Sequence, residues 1–264
     1  MRARRGKVLS LILAGGEGGR LGPLTENRAK PVLSFGGVYR LIDFPLSNCH
    51  NSRVSDVWVI QQYEPHTLSE HLANGRPWDL DRTWGGMLVV HPTTGGEDSG
   101  FYEGNADAIH RNREAIERFD PELLLVLSAD AVYRLDYAEV IDRHRERGAE
   151  ATAVTTVKPA EEASRLGTVI VDGSGRVTTF DYKPEEPRSE IVTTEVFVYD
   201  ADVLLRTLAE LKSENSELRA RAGTLEQPDA AELGARRLGM VNPDERSVVI
   251  CGPGSGSGCD TSAP

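Results

Sequence analysis

The run Val8-Leu9-Ser10-Leu11-Ile12-Leu13, apolar apart from Ser10, leads into five glycines within eight residues: Gly15, Gly16, Gly18, Gly19 and Gly22. A run of this composition reads as a buried strand. Glycines at its end let backbone N–H groups approach an anion closely, because no Cβ stands in the way. Arg20 lies among these glycines, and Lys30 follows in the tetrad Arg28-Ala29-Lys30-Pro31. Both can place full positive charge on phosphate oxygens. A glycine-rich turn alone is equally explained by a loop needing positive φ. With two cations beside it, the combination suits a nucleotide polyphosphate.

Two familiar phosphate loops are excluded by spacing. The pattern G-x-x-x-x-G-K-[ST] is absent, and no triplet of these glycines has the G-x-G-x-x-G spacing. The rest of the chain alternates strand and helix. Strands are expected at Val57 to Ile60, Met87 to His91, Leu123 to Leu127 and Ala151 to Val157. Further strands are expected at Thr168 to Val171, Val177 to Phe180 and Thr194 to Tyr199. Helices are expected after Phe44 to about Asn51, over Thr67 to Leu72, from an Asn105 N-cap through Phe119, over Tyr137 to Arg147 with Gly148 as stop, and from Ala201 to Leu211. Ala108, Ile109, Ala115, Ile116 and Phe119 give the helix after Asn105 an inward face. Asn74 to Gly100 is rich in Gly, Pro and Trp and reads as a long loop region, of the kind that forms a site mouth. The pattern predicts an α/β three-layer, Rossmann-like fold with a mostly parallel sheet. Ligands in such sheets bind beyond the carboxyl ends of the strands, where the glycine loop and Asp130 both fall.

At 264 residues the chain can bury a substantial core. Its net charge of −11 argues against nucleic acid or an anionic membrane as partner. Cations that meet anionic substrates must therefore be concentrated locally. The three cysteines, Cys49, Cys251 and Cys259, show no C-x-x-C spacing and read as reduced thiols of a cytoplasmic protein. Arg2 to Arg5 ahead of the first strand mimic a signal peptide, but the apolar run is short and carries the glycine loop. No apolar run reaches transmembrane length.

Taken together, LAGGEGGRLGPLT, RAKP, Phe35-Gly36-Gly37, Tyr39-Arg40-Leu41-Ile42-Asp43-Phe44 and Leu46-Ser47-Asn48 resemble the nucleotidyltransferase signature of the glucose-1-phosphate adenylyltransferase (ADP-glucose pyrophosphorylase) family. The resemblance implies ATP and glucose 1-phosphate as substrates, ADP-glucose and pyrophosphate as products, and Mg²⁺ as cofactor. It implies nucleotide contacts at Leu13, Ala14, Gly15 and Gly16, at Gln62 of Gln61-Gln62-Tyr63, and at Gly104, Asn105 and Ala106. Arg20, Lys30 and Asp130 would be catalytic, with Asp130 as metal ligand in a segment resembling S-G-D-H-I-Y. A carboxylate just past a buried strand suits Mg²⁺ on its own chemistry, although a turn aspartate there is also ordinary. The sugar phosphate would meet Tyr102, Gly167, Tyr182, Lys183 and Thr193. Taken alone, Tyr102 reads as core and Lys183 as solvated. Tyr182 stands where the family has glutamate, and Thr194-Glu195 replace a Met-Gly pair, so the sugar side departs from the family pattern.

The resemblance spans Val8 to about Leu211. All sixteen aromatic residues (three Trp, seven Tyr, six Phe) lie at or before Tyr199. Residues 1–211 are therefore expected to form the nucleotidyltransferase domain. Residues 212–264 are expected to be a divergent tail, disordered or frame-shifted, with a helix near Ser216 to Ala222 and a flexible Gly/Ser end. The family's W-x-D-V-G-T segment and its C-terminal β-helix domain, which serves homo-oligomerisation, find no counterpart in the sequence.

Overall fold

The computed structural model describes residues 6–16, 19–26, 28–93 and 100–225. In chain order the elements are β1 (Val8–Ala14), β2 (Ser34–Phe35), β3 (Tyr39–Arg40), α1 (Asp43–Asn51), β4 (Asp56–Gln61), α2 (Pro65–Leu72), β5 (Gly86–Val90), α3 (Asn105–Arg111) and α4 (Arg113–Phe119). There follow β6 (Leu123–Ser128), α5 (Tyr137–Arg147), β7 (Ala151–Val157), α6 (Ala160–Ala163), β8 (Gly167–Val171), β9 (Val177–Tyr182), β10 (Ile191–Asp200) and α7 (Ala201–Leu225).

The main sheet runs β5-β4-β1-β6-β10-β8-β9, with β7 also paired to β10. Its first four strands are mutually parallel, and β10 joins β6 antiparallel. β1 is thus central and covered on both faces, which explains its lack of polar alternation. Successive residues of β1, β4 and β6 divide between two cores. Ile12, Val57, Val59, Leu125 and Leu127 meet α1, α2 and α5 through Leu46, Leu68, Leu72 and Tyr137. Leu9, Leu11, Trp58, Ile60 and Leu124 meet α3, α4 and α7 through Ile109, Ile116 and Leu205. Helices on both faces of a largely parallel sheet make the expected three layers.

The expected boundaries of α5 and β7 are met, and Gly148 closes α5 with φ 55°. The helix after Asn105 differs. Gly104 is the N-cap, Asn105 is the first helical residue, and Asp107 reaches back to accept from the Glu103 N–H at 3.0 Å. The helix then breaks at Asn112, whose side chain donates to the Ala108 carbonyl at 2.8 Å and so competes with the backbone ladder. That break turns Ala115 outward to solvent. The last helix also runs on past Leu211, to Leu225, taking in Ser216 to Ala222.

The chain divides into two units, Met1–Ala209 and Glu210–Pro264. In the second, the described residues are the rest of α7, where Asn215 and Ser216 donate to the carbonyls of Leu211 and Lys212. The Gly/Ser end, Cys251 and Cys259 lie outside the described residues.

Leu125, fully buried in β6, sits at the middle of this packing. Leu125→Ala should lower the unfolding free energy by about 3 kcal/mol in a denaturant titration. A loss below about 1 kcal/mol would contradict a close-packed sheet centre.

Candidate active site

Register brings the site together. Leu13 pairs with Ile60 on one side and with Ser128 on the other. The chain segments leaving β1, β4 and β6 therefore emerge side by side: Gly15-Gly16, Gln62 and Asp130. Ala129 still donates to the Leu13 carbonyl at 3.1 Å, holding the β6 exit against β1.

On the β4 side of the glycine loop a cleft of about 290 Å³ opens, lined by Leu13, Gly15, Gly16, Gln62, Gly104 and Asn105 among others. Neither Gly15 nor Gly16 has positive φ. A Cβ on Gly16 or Gly104 would meet no protein atom within 4 Å, and one on Gly15 would reach only Gln62, at 3.5 Å. The fold itself thus makes no demand for glycine at these three positions, whereas a guest pressed against the backbone would. Gln62 ties the two walls together. Its Nε2 donates to the Gly15 carbonyl at 2.9 Å, and its Oε1 accepts from the Tyr102 N–H at 2.6 Å. Both ends of the side chain are therefore engaged with backbone.

Lys30 and Asp130, 100 residues apart, form an ion pair, and the Ser128 hydroxyl also donates to Asp130. Lys30 begins a 3-10 turn whose Pro31 and Val32 are buried, so its backbone is anchored while the ammonium reaches the β6 exit. Burial pushes the Asp130 carboxyl up, but the Lys30 ammonium and the Ser128 hydroxyl outweigh it and hold the group below its ordinary value. The carboxylate is therefore charged at neutral pH. Each side chain keeps about a quarter to a third of its surface in water, 26% for Asp130 and 35% for Lys30. Among the described residues no cluster of three His, Cys, Asp or Glu could hold a metal alone. One charged, accessible carboxylate still fits Mg²⁺, which commonly takes one or two carboxylates and completes its shell with water and substrate phosphates.

Asn48 is a residue whose role the sequence did not announce. Buried in α1, it donates to the Tyr133 carbonyl at 3.1 Å and accepts from the Leu135 N–H at 3.4 Å. It thereby fixes the loop that follows Asp130. Its one sequence signal is its place in Leu46-Ser47-Asn48, a tripeptide whose residue types alone point to no chemistry.

Four of the residues that the resemblance assigns to the sugar phosphate, Gly167, Tyr182, Lys183 and Thr193, form a second group, called the sugar-side group below. Gly167 pairs with Tyr182, and a Cβ at Gly167 would come within 3.0 Å of both Phe180 and Thr193. Lys183 donates to the Tyr182 hydroxyl at 2.8 Å. Tyr102 stands apart from this group. It borders the cleft beside Gly15 and Gly16 with its ring buried, and its hydroxyl accepts from Asn112 at 3.1 Å. Ala106 opens α3 next to Asn105. The Arg20 side chain lies outside the described part of the structure.

A mixed sheet flanked by helices, with a glycine loop, an open cleft and a Lys–Asp pair at the carboxyl ends of its parallel strands, defines an α/β protein with one candidate site. The sequence profile of the Nucleotidyl transferase family matches residues 9–238, and the chain belongs to that family. It is 48% identical over 205 residues to a glucose-1-phosphate adenylyltransferase of Thermotoga neapolitana, covering 78% of this chain and 48% of that protein. It is 43% identical over 208 residues to the protein of the same name from Lachnospira eligens, covering 79% and 49%. The chain spans about half the length of these curated relatives. In fold it is similar to a crystal structure from Bacillus anthracis described as a glucose-1-phosphate thymidylyltransferase. There the TM-score is 0.62 at 20% identity, with 75% of this chain and 73% of the other covered.

Removing the Gln62 bridge should loosen the cleft locally. In Gln62→Ala the Tyr102 amide is expected to exchange with solvent about tenfold faster by hydrogen-exchange NMR, the equivalent of about one lost hydrogen bond. An unchanged rate would mean that the bridge does not hold the cleft wall.

Proposed function

We propose that the chain transfers the adenylyl group of ATP to glucose 1-phosphate, forming ADP-glucose and pyrophosphate. The observation that carries this reading is the Lys30–Asp130 pair beside a cleft whose glycines the fold does not itself require. An oxygen of the sugar 1-phosphate attacks the α-phosphorus of ATP. The new O–P bond forms as the bond from the α-phosphorus to the bridging oxygen breaks, and pyrophosphate leaves with the electron pair. Little covalent work falls to the protein, so positioning and charge neutralisation supply the rate.

In this reading Gly15, Gly16, Gly104 and Ala106 present backbone to the nucleotide, and Gln62 holds the walls around it. Arg20 and Lys30 neutralise the triphosphate and the departing pyrophosphate. Lys183 orients the attacking sugar phosphate, with Gly167, Tyr182 and Thr193 around the ring. Asp130 would hold Mg²⁺, which supplies further neutralisation of phosphate charge when bound. Lys30 must then leave Asp130 for phosphate, and the partial exposure of both side chains permits the exchange.

The acidic net charge argues against nucleic acid as partner, and among the described residues no helix is long and apolar enough to cross a membrane. Cys49 is a free thiol that burial pushes up to about 12 and so leaves inert; a cytoplasmic location belongs to the same family-based reading. A related sugar phosphate is the second reading, favoured by Tyr182 and Glu195 at positions where the family pattern differs.

Pyrophosphate release with Mg²⁺, glucose 1-phosphate and each of ATP, UTP, GTP and dTTP tests the proposal. Release is expected with ATP. Lys30→Ala and Asp130→Asn should each lower kcat about a hundredfold or more, the equivalent of about 3 kcal/mol at the transition state, with folding intact. Near-wild-type turnover in either variant, or release with another nucleotide alone, would overturn the assignment.

A further inference from the structure

Eight non-glycine residues among those described adopt positive φ. Six of them, Arg53, Glu64, Ala73, Asn74, Asp79 and Asp120, lie at the ends of α or 3-10 helices, where such geometry commonly closes or opens a helix. The other two are Lys183, at φ 49°, and Glu195, at φ 59°. Both are charged; Lys183 belongs to the sugar-side group, and Glu195 lies two residues after its Thr193 in β10. Left-handed geometry on a residue with a Cβ persists only where its surroundings impose it, and such outliers concentrate at ligand sites.

Glu195 lies within β10, where the register against β7 shifts between Thr193 and Phe197. A bulge of this kind re-aims a side chain. Its neighbours are committed: Thr193 is buried against Gly167, and Thr194 donates to the Val154 carbonyl at 3.0 Å. Val196 pairs with Leu127, which brings Glu195 level with Ser128, the residue that donates to Asp130. The carboxylate is exposed and makes no hydrogen bond or ion pair among the described residues. Its charge is felt by the Tyr133 hydroxyl in the loop after Asp130.

A metal is the poorer occupant, because no cluster of ligating side chains surrounds this carboxylate among the described residues. A sugar ring is the better one. A carboxylate accepts only, through two oxygens, and so matches hydroxyl groups on adjacent ring carbons. We propose that Glu195 is the specificity-determining residue of the acceptor subsite, accepting hydrogen bonds from ring hydroxyls of the hexose whose 1-phosphate Lys183 holds. This rests on the nucleotidyl-transfer reading above.

The test uses Glu195→Gly, whose missing Cβ suits φ 59°, and Glu195→Gln, which keeps shape without charge. Steady-state kinetics are measured with ATP, glucose 1-phosphate and its monodeoxy analogues. The wild type should reject at least one analogue by about tenfold or more in kcat/KM. In Glu195→Gly the KM for glucose 1-phosphate should rise about tenfold and that rejection should vanish, with the KM for ATP and the unfolding midpoint not worsened. Glu195→Gln should lie between the two. Rejection unchanged in Glu195→Gly, or equal rises in both KM values, would overturn the proposal. If the wild type releases no pyrophosphate with any nucleotide, the transfer reading fails, and calorimetric binding of glucose 1-phosphate decides this one. Binding about tenfold weaker in Glu195→Gly sustains the subsite; equal binding, or none to the wild type, overturns it.

Discussion

β1 has parallel neighbours on both sides, and the rest of the site depends on that placement. With β4 and β6 consuming its backbone groups, its carboxyl end can open only at the middle of the sheet, flanked by the ends of those two strands. Gly15-Gly16, Gln62 and Asp130 are neighbours for this reason alone. The Lys30–Asp130 pair then closes the arrangement across 100 residues of chain. Two full charges drawn from separate segments need a rigid frame to meet, and the frame is the two-faced core around Ile12, Leu11 and Leu125.

Around this centre the fold divides its work. Gln62 and Asn48 bond backbone on either side of the strand ends, one fixing the cleft wall and the other the loop after Asp130. Such polar groups are costly to bury unless every partner is met, so they specify loop positions closely when they are met. The antiparallel half, β8 to β10, carries the sugar-side group, and β10 beside β6 links it to Asp130. In the proposed transfer the two halves would each receive one substrate.

Much of this was legible in the sequence because local signals and tertiary demands agreed. The runs of β1, β4 and β6 lack alternation since both faces are buried, and α5 carries its own Asp136 cap and Gly148 stop. The break at Asn112 was not legible, since apolar spacing continues through it and only the contact with Ala108 reveals the interruption. The cap at Gly104 was missed because Asn105 is the better cap by type; Asp107 accepts from the Glu103 N–H, just ahead of the cap, and no side chain caps the helix. Of the site, the residue types at 15, 16, 30, 62 and 130 could be read, but not the pairing of Lys30 with Asp130 or the grip of Asn48. Those contacts bridge residues about 85 to 100 positions apart, and no local pattern encodes them.

Hydrogen exchange followed by mass spectrometry, with and without ATP and Mg²⁺, tests the central claim most directly. The strand ends should act as one nucleotide site: protection is expected over residues 13–16, 60–63 and 102–108, with β8 and β9 unchanged until glucose 1-phosphate is added. Protection absent from all three segments, or confined to β8 and β9, would contradict a nucleotide site at the carboxyl ends of β1, β4 and β6.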